Sequence, residues 1–365
     1  MIQINANCHV NVEFEGLTNF DRYVFRKLII KEVAGLGLPV FELHLNQESY
    51  YLYPSLRSVN KTITITYGTT VETAVKYVFR LYNYNYSEDS GKYNLILTGI
   101  LDLKEFTNVP KIRSFSSPSN EALNSLDSVT PILNYEGADS QAWIQHNNSD
   151  KNFAERVISH AYCQDNDFIA GALTVDKQLI VSSIKNTFDS EPAITIQHRE
   201  ADTAPEVTRY DSFKVESDSA LWSNFLSEGR NLPVISAKDR GIVKYSPTLT
   251  SIIDGAVNQD FSENVNYPTI LDNGNCHDKY YQAWLDTLNY SVQFIRNNIY
   301  VFTSITYLMN DTVKLLDLVK FLPSHSYDNE LADPLSGKYI VTEKVTLITQ
   351  EGFSHRLLLN RDYSI

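Results

Sequence analysis

The chain has 365 residues, enough for two to four domains with sizeable cores. Hydrophobic residues make up 43% and charged residues 21%, an ordinary globular balance. The net charge of −13 argues against an electrostatic grip on nucleic acid or on an anionic membrane. Acidity of this kind serves solubility, and it would also suit a conduit that DNA passes without sticking. Aromatic residues are plentiful, with 23 Tyr and 17 Phe, which suit half-buried strand faces and subunit contacts. The cysteines, Cys8, Cys163 and Cys276, are odd in number and far apart, so neither a disulfide framework nor a zinc knuckle is predicted and a reducing compartment is expected. No apolar run reaches transmembrane length, and Met1-Ile2-Gln3-Ile4-Asn5 lacks the features of a signal peptide. Synthesis in the cytoplasm is the expectation, with exit only as part of a larger particle.

Residues 1 to about 113 read mostly as strands. Phe25 to Glu32 alternates with apolar groups on both faces, and Gly35-Leu36-Gly37 breaks the chain before Pro39 to Leu45. Ile63 and Ile65 alternate with Thr62, Thr64 and Thr66, and Val75, Tyr77, Phe79 and Leu81 continue at period two. The run Tyr82-Asn83-Tyr84-Asn85-Tyr86 is read as a strand or loop with a packed Tyr face rather than a stacking platform for sugars. Ser87 to Gly91 reads as a polar loop, and Tyr93 to Leu101 as a further strand. Strands at this spacing suggest a barrel or sandwich.

The middle changes character at the linker-like Ser116 to Asn120. Glu121 to Leu126 is predicted as a short helix capped by Ser119 or Asn120. Phe153, Val157, Ile158 and Ala161 have helical spacing, with Ser149 or Asp150 as cap. Ile169 to Leu173 and Leu179 to Val181 read as strands, and the polar stretch 187 to 217 as loop with some strand. Leu221, Trp222, Phe225 and Leu226 suggest a short helix, and a second begins near Cys276 with Tyr280 or Tyr281, Trp284, Leu288 and Val292 on its apolar face. Ile299 to Phe302 follows as a strand. At the end, Tyr339, Val341, Val345 and Leu347 share one strand face, and Gln350-Glu351-Gly352 turns the chain into His355 to Asp362, predicting a β-hairpin.

A search for chemistry finds no G-x-S-x-G, no H-E-x-x-H and no phosphate loop. Cys276-His277-Asp278 is the densest mixed cluster, with Cys8-His9 the only similar pair; both read as structural, a solvated helix start in the first case. The carboxylate pairs Glu13 and Glu15, Asp165 and Asp167, and Asp260 and Glu263 do not by themselves place two acids across a cleft. The expectation is no catalytic, cofactor-binding or metal-binding residues, and no cofactor.

Three stretches carry a resemblance. Leu335-Ser336-Gly337-Lys338-Tyr339-Ile340-Val341 with its hairpin resembles the carboxy-terminal barrel of the phage tail baseplate hub family. Gln145-His146-Asn147-Asn148-Ser149-Asp150-Lys151-Asn152-Phe153 is similar to the Q-x-N-x-S-D-x-x-F passage of that family and of the hub part of type VI secretion spike proteins. Leu315-Leu316-Asp317-Leu318-Val319-Lys320-Phe321 resembles the start of its last barrel strands.

The resemblance implies a mainly β fold with α+β insertions: two tail-tube-like antiparallel β-barrels plus smaller α/β domains. The boundaries it suggests are 1–113 for the first barrel and 114–205 for an α/β insertion. Residues 206–365 would form the second barrel, with a helical insertion around 276–296. It further implies a non-enzymatic structural virion protein of the tail baseplate. This would be a homotrimer whose barrels form a pseudo-sixfold ring between the tail tube protein and the central spike protein, touching other baseplate proteins. The genome would pass through its lumen without specific binding. A tail-tip cell-wall hydrolase and a carbohydrate-binding tail module are the competing expectations.

Overall fold

The computed structural model describes residues 2–5, 8–14, 24–47, 61–68, 72, 74–89, 92–198, 207–216, 228–236, 241–245, 263–266, 269–272, 275–294, 298–304, 313–323 and 335–361. The predicted helix around Leu221 to Leu226 lies outside these residues, as do Glu15 and Asp260. Among the described residues no helix is long and apolar enough to cross a membrane.

The first part of the chain supplies β1 (Ile2–Asn5), β2 (Cys8–Phe14), β3 (Phe25–Val33), β4 (Val40–Gln47), β5 (Thr62–Gly68), β6 (Val75–Asp89) and β7 (Lys92–Leu101). They pair antiparallel in the order β1-β2-β5-β6-β7-β4-β3. The period-two pattern fills their inner side: Val10, Val12, Leu28, Ile30, Phe41, Leu43, Ile63, Ile65, Phe79 and Leu97 are all buried. Gly99 lets β7 pass over this core, since a methyl group there would run into the Phe41 ring and the Arg80 carbonyl. Ser87 to Asp89, expected as loop, belongs to β6 and pairs with Asn94 to Lys92. The ladder carries polar residues there because both faces of that hairpin meet water.

The middle part holds α1 (Lys104–Thr107), β8 (Lys111–Ser117), α2 (Ser119–Asn124), β9 (Thr130–Asn134), β10 (Gln141–Asn148), α3 (Asp150–His160), β11 (Ile169–Leu173), β12 (Gln178–Ser183) and α4 (Ile184–Asp189). β8 and β10 form a separate two-stranded ribbon, and β11-β12-β9 a small mixed sheet. Ser149 caps α3, accepting from the Asn152 N–H at 3.3 Å. α2 begins at Ser119, after Pro118, with neither Ser119 nor Asn120 serving as the cap: Pro118 presets the entry and has no side-chain bond to offer. α4 was hidden in a polar stretch, because its burial rests on only Ile184 and Phe188.

The rest comprises β13 (Ile194–His198), β14 (Val207–Tyr210), β15 (Ser212–Glu216), β16 (Glu228–Ser236), β17 (Gly241–Tyr245), β18 (Glu263–Asn266), β19 (Ile270–Asp272), α5 (Tyr280–Phe294), β20 (Asn298–Ser304), β21 (Leu318–Leu322), β22 (Gly337–Thr349) and β23 (Gly352–Asn360). Pairing runs from β22 through β21, β13 and β14, and from β22 through β23 and β20 to β15. Only Asp211 separates β14 from β15, and its N–H donates to the Phe302 carbonyl at 2.8 Å, so the ladder closes on itself as a second barrel. β13 runs parallel to both its neighbours, while the other pairs of this barrel are antiparallel.

β22 is common to both barrels. Phe321 to Leu318 pair with Gly337 to Ile340, and Val33 to Lys27 pair with Glu343 to Thr349 along the same edge. The register shifts between Val341 and Glu343. One extra residue turns the side chains over, so the face changes partway along the strand. Tyr339, Ile340 and Val341 enter the second core beside Phe321 and Leu359, whereas Ile348 enters the first beside Phe353. The predicted face therefore holds for Tyr339 and Val341 only: past the bulge Val345 and Leu347 fall on the other face and line one cleft, and Ile348 takes the inward place. At the crossing, Glu343 pairs with Lys31 at 2.6 Å and with Arg356 at 2.7 Å. The turn is Gln350-Glu351, followed by Gly352 at φ +135°.

Candidate assembly surfaces

The ribbon β8–β10 wears its polarity inside out. Its inward residues are Arg113, Phe115, Trp143 and Gln145; Trp143 is 2% exposed and Gln145 fully buried. Its outward residues, paired as Ile112 with His146, Ser114 with Ile144 and Ser116 with Ala142, are all exposed. Ile112 is 75% and Ile144 51% exposed. None of these six residues carries a carboxylate, ammonium or guanidinium, although the Arg156 guanidinium donates to the Ile144 carbonyl.

The inward charges converge on Asp150, fully buried in the first turn of α3. Arg113 donates to Asp150 Oδ1 at 2.5 Å, and Lys111 and Ser128 donate to Oδ2 at 2.8 and 2.6 Å. Gln145 Nε2 adds a bond at 3.0 Å. Burial by itself pushes the Asp150 carboxyl up. The hydrogen bonds from Lys111, Ser128 and Gln145 and the Arg113 charge outweigh it, holding the pKa below the ordinary carboxylate value. The helix N-terminus favours the same charge.

A second outward apolar face lies on the small sheet of β16, β17 and β19. Leu232 and Val234 turn inward against Tyr281 and Leu285 of α5. One residue along, Ile235 turns outward, paired with Ile242 on one side and Leu271 on the other. These three form a row across the sheet, 40%, 69% and 78% exposed.

Both faces are backed by helices, the ribbon by α3 and the start of α5 and the sheet by α5. Phe115 of the ribbon packs on Phe153 of α3, with ring centroids 5.6 Å apart. His160 at the end of α3 stacks on Tyr280 and Trp284 of α5, at 4.0 and 5.7 Å. Burial drives the His160 pKa down to about 4, which keeps the ring neutral within this stack. The apolar side of α5 thus runs through Tyr281, Ala283 and Leu285, with Trp284 and Tyr280 on the α3 side; the side chain of Val292 lies outside the described residues.

The sequence candidates for chemistry fall into structural positions. The backbone N–H of His277 donates to Gln141 Oε1 at 3.0 Å, and its ring Nε2 lies 3.1 Å from the His160 carbonyl. Burial raises the Cys276 thiol. Burial and the neighbouring Asp167 push Cys163 up to about 12, far from nucleophilic. Asp165 pairs with Lys279 in the open, whereas Asp167 is buried and accepts from Ser183 and from the Phe168 and Lys185 N–H groups. Glu13 bonds Asn11 and Lys76. Among the described residues no group of three His, Cys, Asp or Glu is placed to hold a metal ion. In the tyrosine run, Tyr84 and Tyr86 pack against the first core, and Tyr86 stacks on Tyr93 at 5.6 Å. A cleft of about 500 Å³ lies where the barrels meet the middle part, and its lining, including Phe168, Ile184, Leu316, Ile340 and Leu358, contains no carboxylate.

The two outward faces escaped sequence reading. Lys111-Ile112-Arg113 alternates cleanly, but a single strand does not say which of its faces is inside, and the buried partner Asp150 is remote in sequence.

No family model matches the sequence, and no curated protein matches it. Solved structures do. The tail protein from Neisseria meningitidis aligns over 98% of this chain and 97% of its own, with a TM-score of 0.59 at 11% identity. The 43 kDa tail protein of prophage MuSo2 from Shewanella oneidensis aligns over 97% of this chain and 98% of its own, with a TM-score of 0.61 at 9% identity. The resemblance first read from the hairpin and the Gln145 to Phe153 passage is thus met at the level of the whole fold: this chain is built like phage tail proteins, end to end.

Proposed function

We infer that the protein is a structural tail component of a phage or prophage particle, acting as the baseplate hub. The observation that carries this reading is the pair of barrels fused through β22, within a fold that matches phage tail proteins over nearly its full length. A ring made from such fused pairs has a definite symmetry consequence. Three copies present six barrels, so the assembly can meet a hexameric tail tube protein on one side and a threefold central spike protein on the other. The role is then played by interfaces rather than by a reacting group. Other baseplate proteins would contact the outer parts, and the genome would cross the lumen of this acidic protein without specific binding.

The same reading divides the chain at about residues 113 and 205. One strand departs from that division: Ile194–His198, before the second boundary, would belong to the second barrel because it pairs with β21. It places the mature protein in the virion tail and its synthesis in the host cytoplasm, with no turnover and no cofactor. The test is mass in solution over a concentration series, with and without tail tube protein, combined with images along the particle axis. A trimer with six density lobes is expected. A chain that stays monomeric alone and with tube protein, or that degrades peptidoglycan, would overturn the reading.

A further inference from the structure

We propose that the seam between α3 and α5 is an acid-opened hinge: protons gained by His160 and His277 free α5 and the sheet it carries from the middle part, while both barrels stay closed.

Neither histidine has a place for a second proton. His160 Nδ1 lies 2.9 Å from the Arg156 carbonyl, which accepts and never donates, so Nδ1 carries the ring hydrogen. Nε2 is then the basic atom, and among the described residues no carboxylate bonds it. His277 takes the opposite tautomer. Its Nε2–H donates to the His160 carbonyl at 3.1 Å, which leaves Nδ1 basic, buried and without a hydrogen-bond partner among the described residues. Both rings lie among aromatic side chains. His160 stacks on Tyr280 and Trp284, and His277 has Trp143 at 6.3 Å and Tyr280 at 5.6 Å. A proton added to either ring places an ion in an apolar stack with no acceptor for the new N–H.

The charges around the seam do not reverse this. Burial is the largest influence on both rings and lowers both. At His160 the charge of Arg156 on α3 and that of His277 add repulsion. Asp139, between β9 and β10, and Asp278, just before α5, favour a charged His277, yet burial prevails. The faces of Tyr280 and Trp284 attract a cation but offer no oxygen to bond it. Asp165 and Lys279 bridge the seam at its exposed edge. The hydrogen bond from Lys279 holds the Asp165 carboxyl below its ordinary value, so this pair persists at pH 5 and does not set the opening.

The unit that opens brings its own core. α5 packs on α3 on one side and on β16 and β17 on the other. Leu232, Val234, Tyr281 and Leu285 form a cluster separate from the cores of both barrels, and Tyr280 is the α5 residue that also packs on the first core. Parting α3 from α5 therefore leaves that cluster and the shared strand β22 intact. Units of this kind open as one piece below the free energy of global unfolding.

The experiment is hydrogen exchange on the full chain at pH 7, 6 and 5, corrected for the intrinsic pH dependence of exchange. The His160 proton binds near 6.5 in the open form and near 4 in the closed one, so the open fraction should rise about twentyfold between pH 7 and 5, and His277 adds to it. Protection should fall by at least that factor across residues 280–288 and stay level at 28–30 of β3 and 339–341 of β22. The double variant His160→Gln, His277→Gln should flatten the fall. Equal losses in α5 and β22 would mean general acid unfolding and overturn the hinge. Protection of α5 that stays constant or rises towards pH 5 overturns it as well. So does a double variant in which the fall persists undiminished, since the effect then lies off the histidines. Should the double variant not fold, His160→Gln alone takes its place: a smaller fall than in the parent supports the hinge, and an equal fall overturns it.

Discussion

The terminal hairpin and the β8–β10 ribbon are both antiparallel pairs, yet they carry their polarity in opposite senses. In the hairpin, apolar residues go in: Tyr339, Ile340, Val341, Ile348, Leu357 and Leu359 are essentially unexposed. In the ribbon, an ion network goes in and isoleucines stay out. The hairpin's stabilisation comes from area removed from water, at roughly 25 cal/mol per Å². The ribbon is held by Asp150, whose charge is tolerable only because Lys111, Arg113, Ser128 and Gln145 all reach it. The lesson is that strands of like propensity differ in where their charges go, and that this decides which face is buried.

The largest effect that would break this contrast comes from the hairpin. Truncation after Pro334 removes β22 and β23, which complete the second barrel and fasten it to the first. Each lost core side chain is worth roughly 1.5–3 kcal/mol, so the sum exceeds the stability of a typical domain. The truncated chain should be insoluble or unfolded by circular dichroism; a soluble cooperative folder would show that the barrels do not depend on the hairpin.

A finer cut is Ile348→Ala, which empties a site at 0% exposure in the first core. Denaturant unfolding should show a loss of about 2–5 kcal/mol. Leu347→Ala, one residue away and half-buried, should cost clearly less. Equal losses would mean that the bulge after Val341 does not set the face.

On the ribbon side, Asp150→Asn should cost about 2–3 kcal/mol, since it leaves Arg113 and Lys111 without their anion, although both can partly rehydrate. Because the Asp150 pKa is lowered on folding, the stabilisation is present above the unfolded carboxylate value and is lost as pH falls through the folded one. The variant should therefore lose part of the parent's acid sensitivity, seen as a shallower fall in stability as pH drops below the ordinary carboxylate value.

The seam between α3 and α5 gives a smaller, separate signal. His160 binds its proton near 6.5 when unfolded and near 4 when folded. Stability is then full above pH 6.5 and falls as pH drops towards 4, by about 1–2 kcal/mol between pH 7 and 5. Paired denaturant melts of the parent and His160→Gln would check this, and an unchanged slope in the variant would place the effect elsewhere. The smallest expected change in stability is that of Ile144→Ser, within about 0.5 kcal/mol, because the side chain is exposed in the single chain.

Most strands were legible because they alternate over one buried face: Ile63 and Ile65, or Phe79 and Leu81, declare their side without help. The helix Asp150–His160 was legible from its cap and its spacing. The short helix Ile184–Asp189 was not, since only Ile184 and Phe188 turn inward. Ser87 to Asp89 reads as loop in the sequence but is strand, because backbone pairing, which polar residues do not advertise, decides a wet hairpin end.

The sequence by itself determined the β-rich architecture, the terminal hairpin and the resemblance to tail hub proteins, because these rest on local periodicity and on short stretches of wording. Tertiary structure alone decided that β22 serves two cores, that Arg113 turns inward to Asp150, and that Ile112, Ile144, Ile242 and Leu271 face outward. The physical reason is that alternation fixes which residues share a face but not which face is buried. That choice is made by partners distant in the chain.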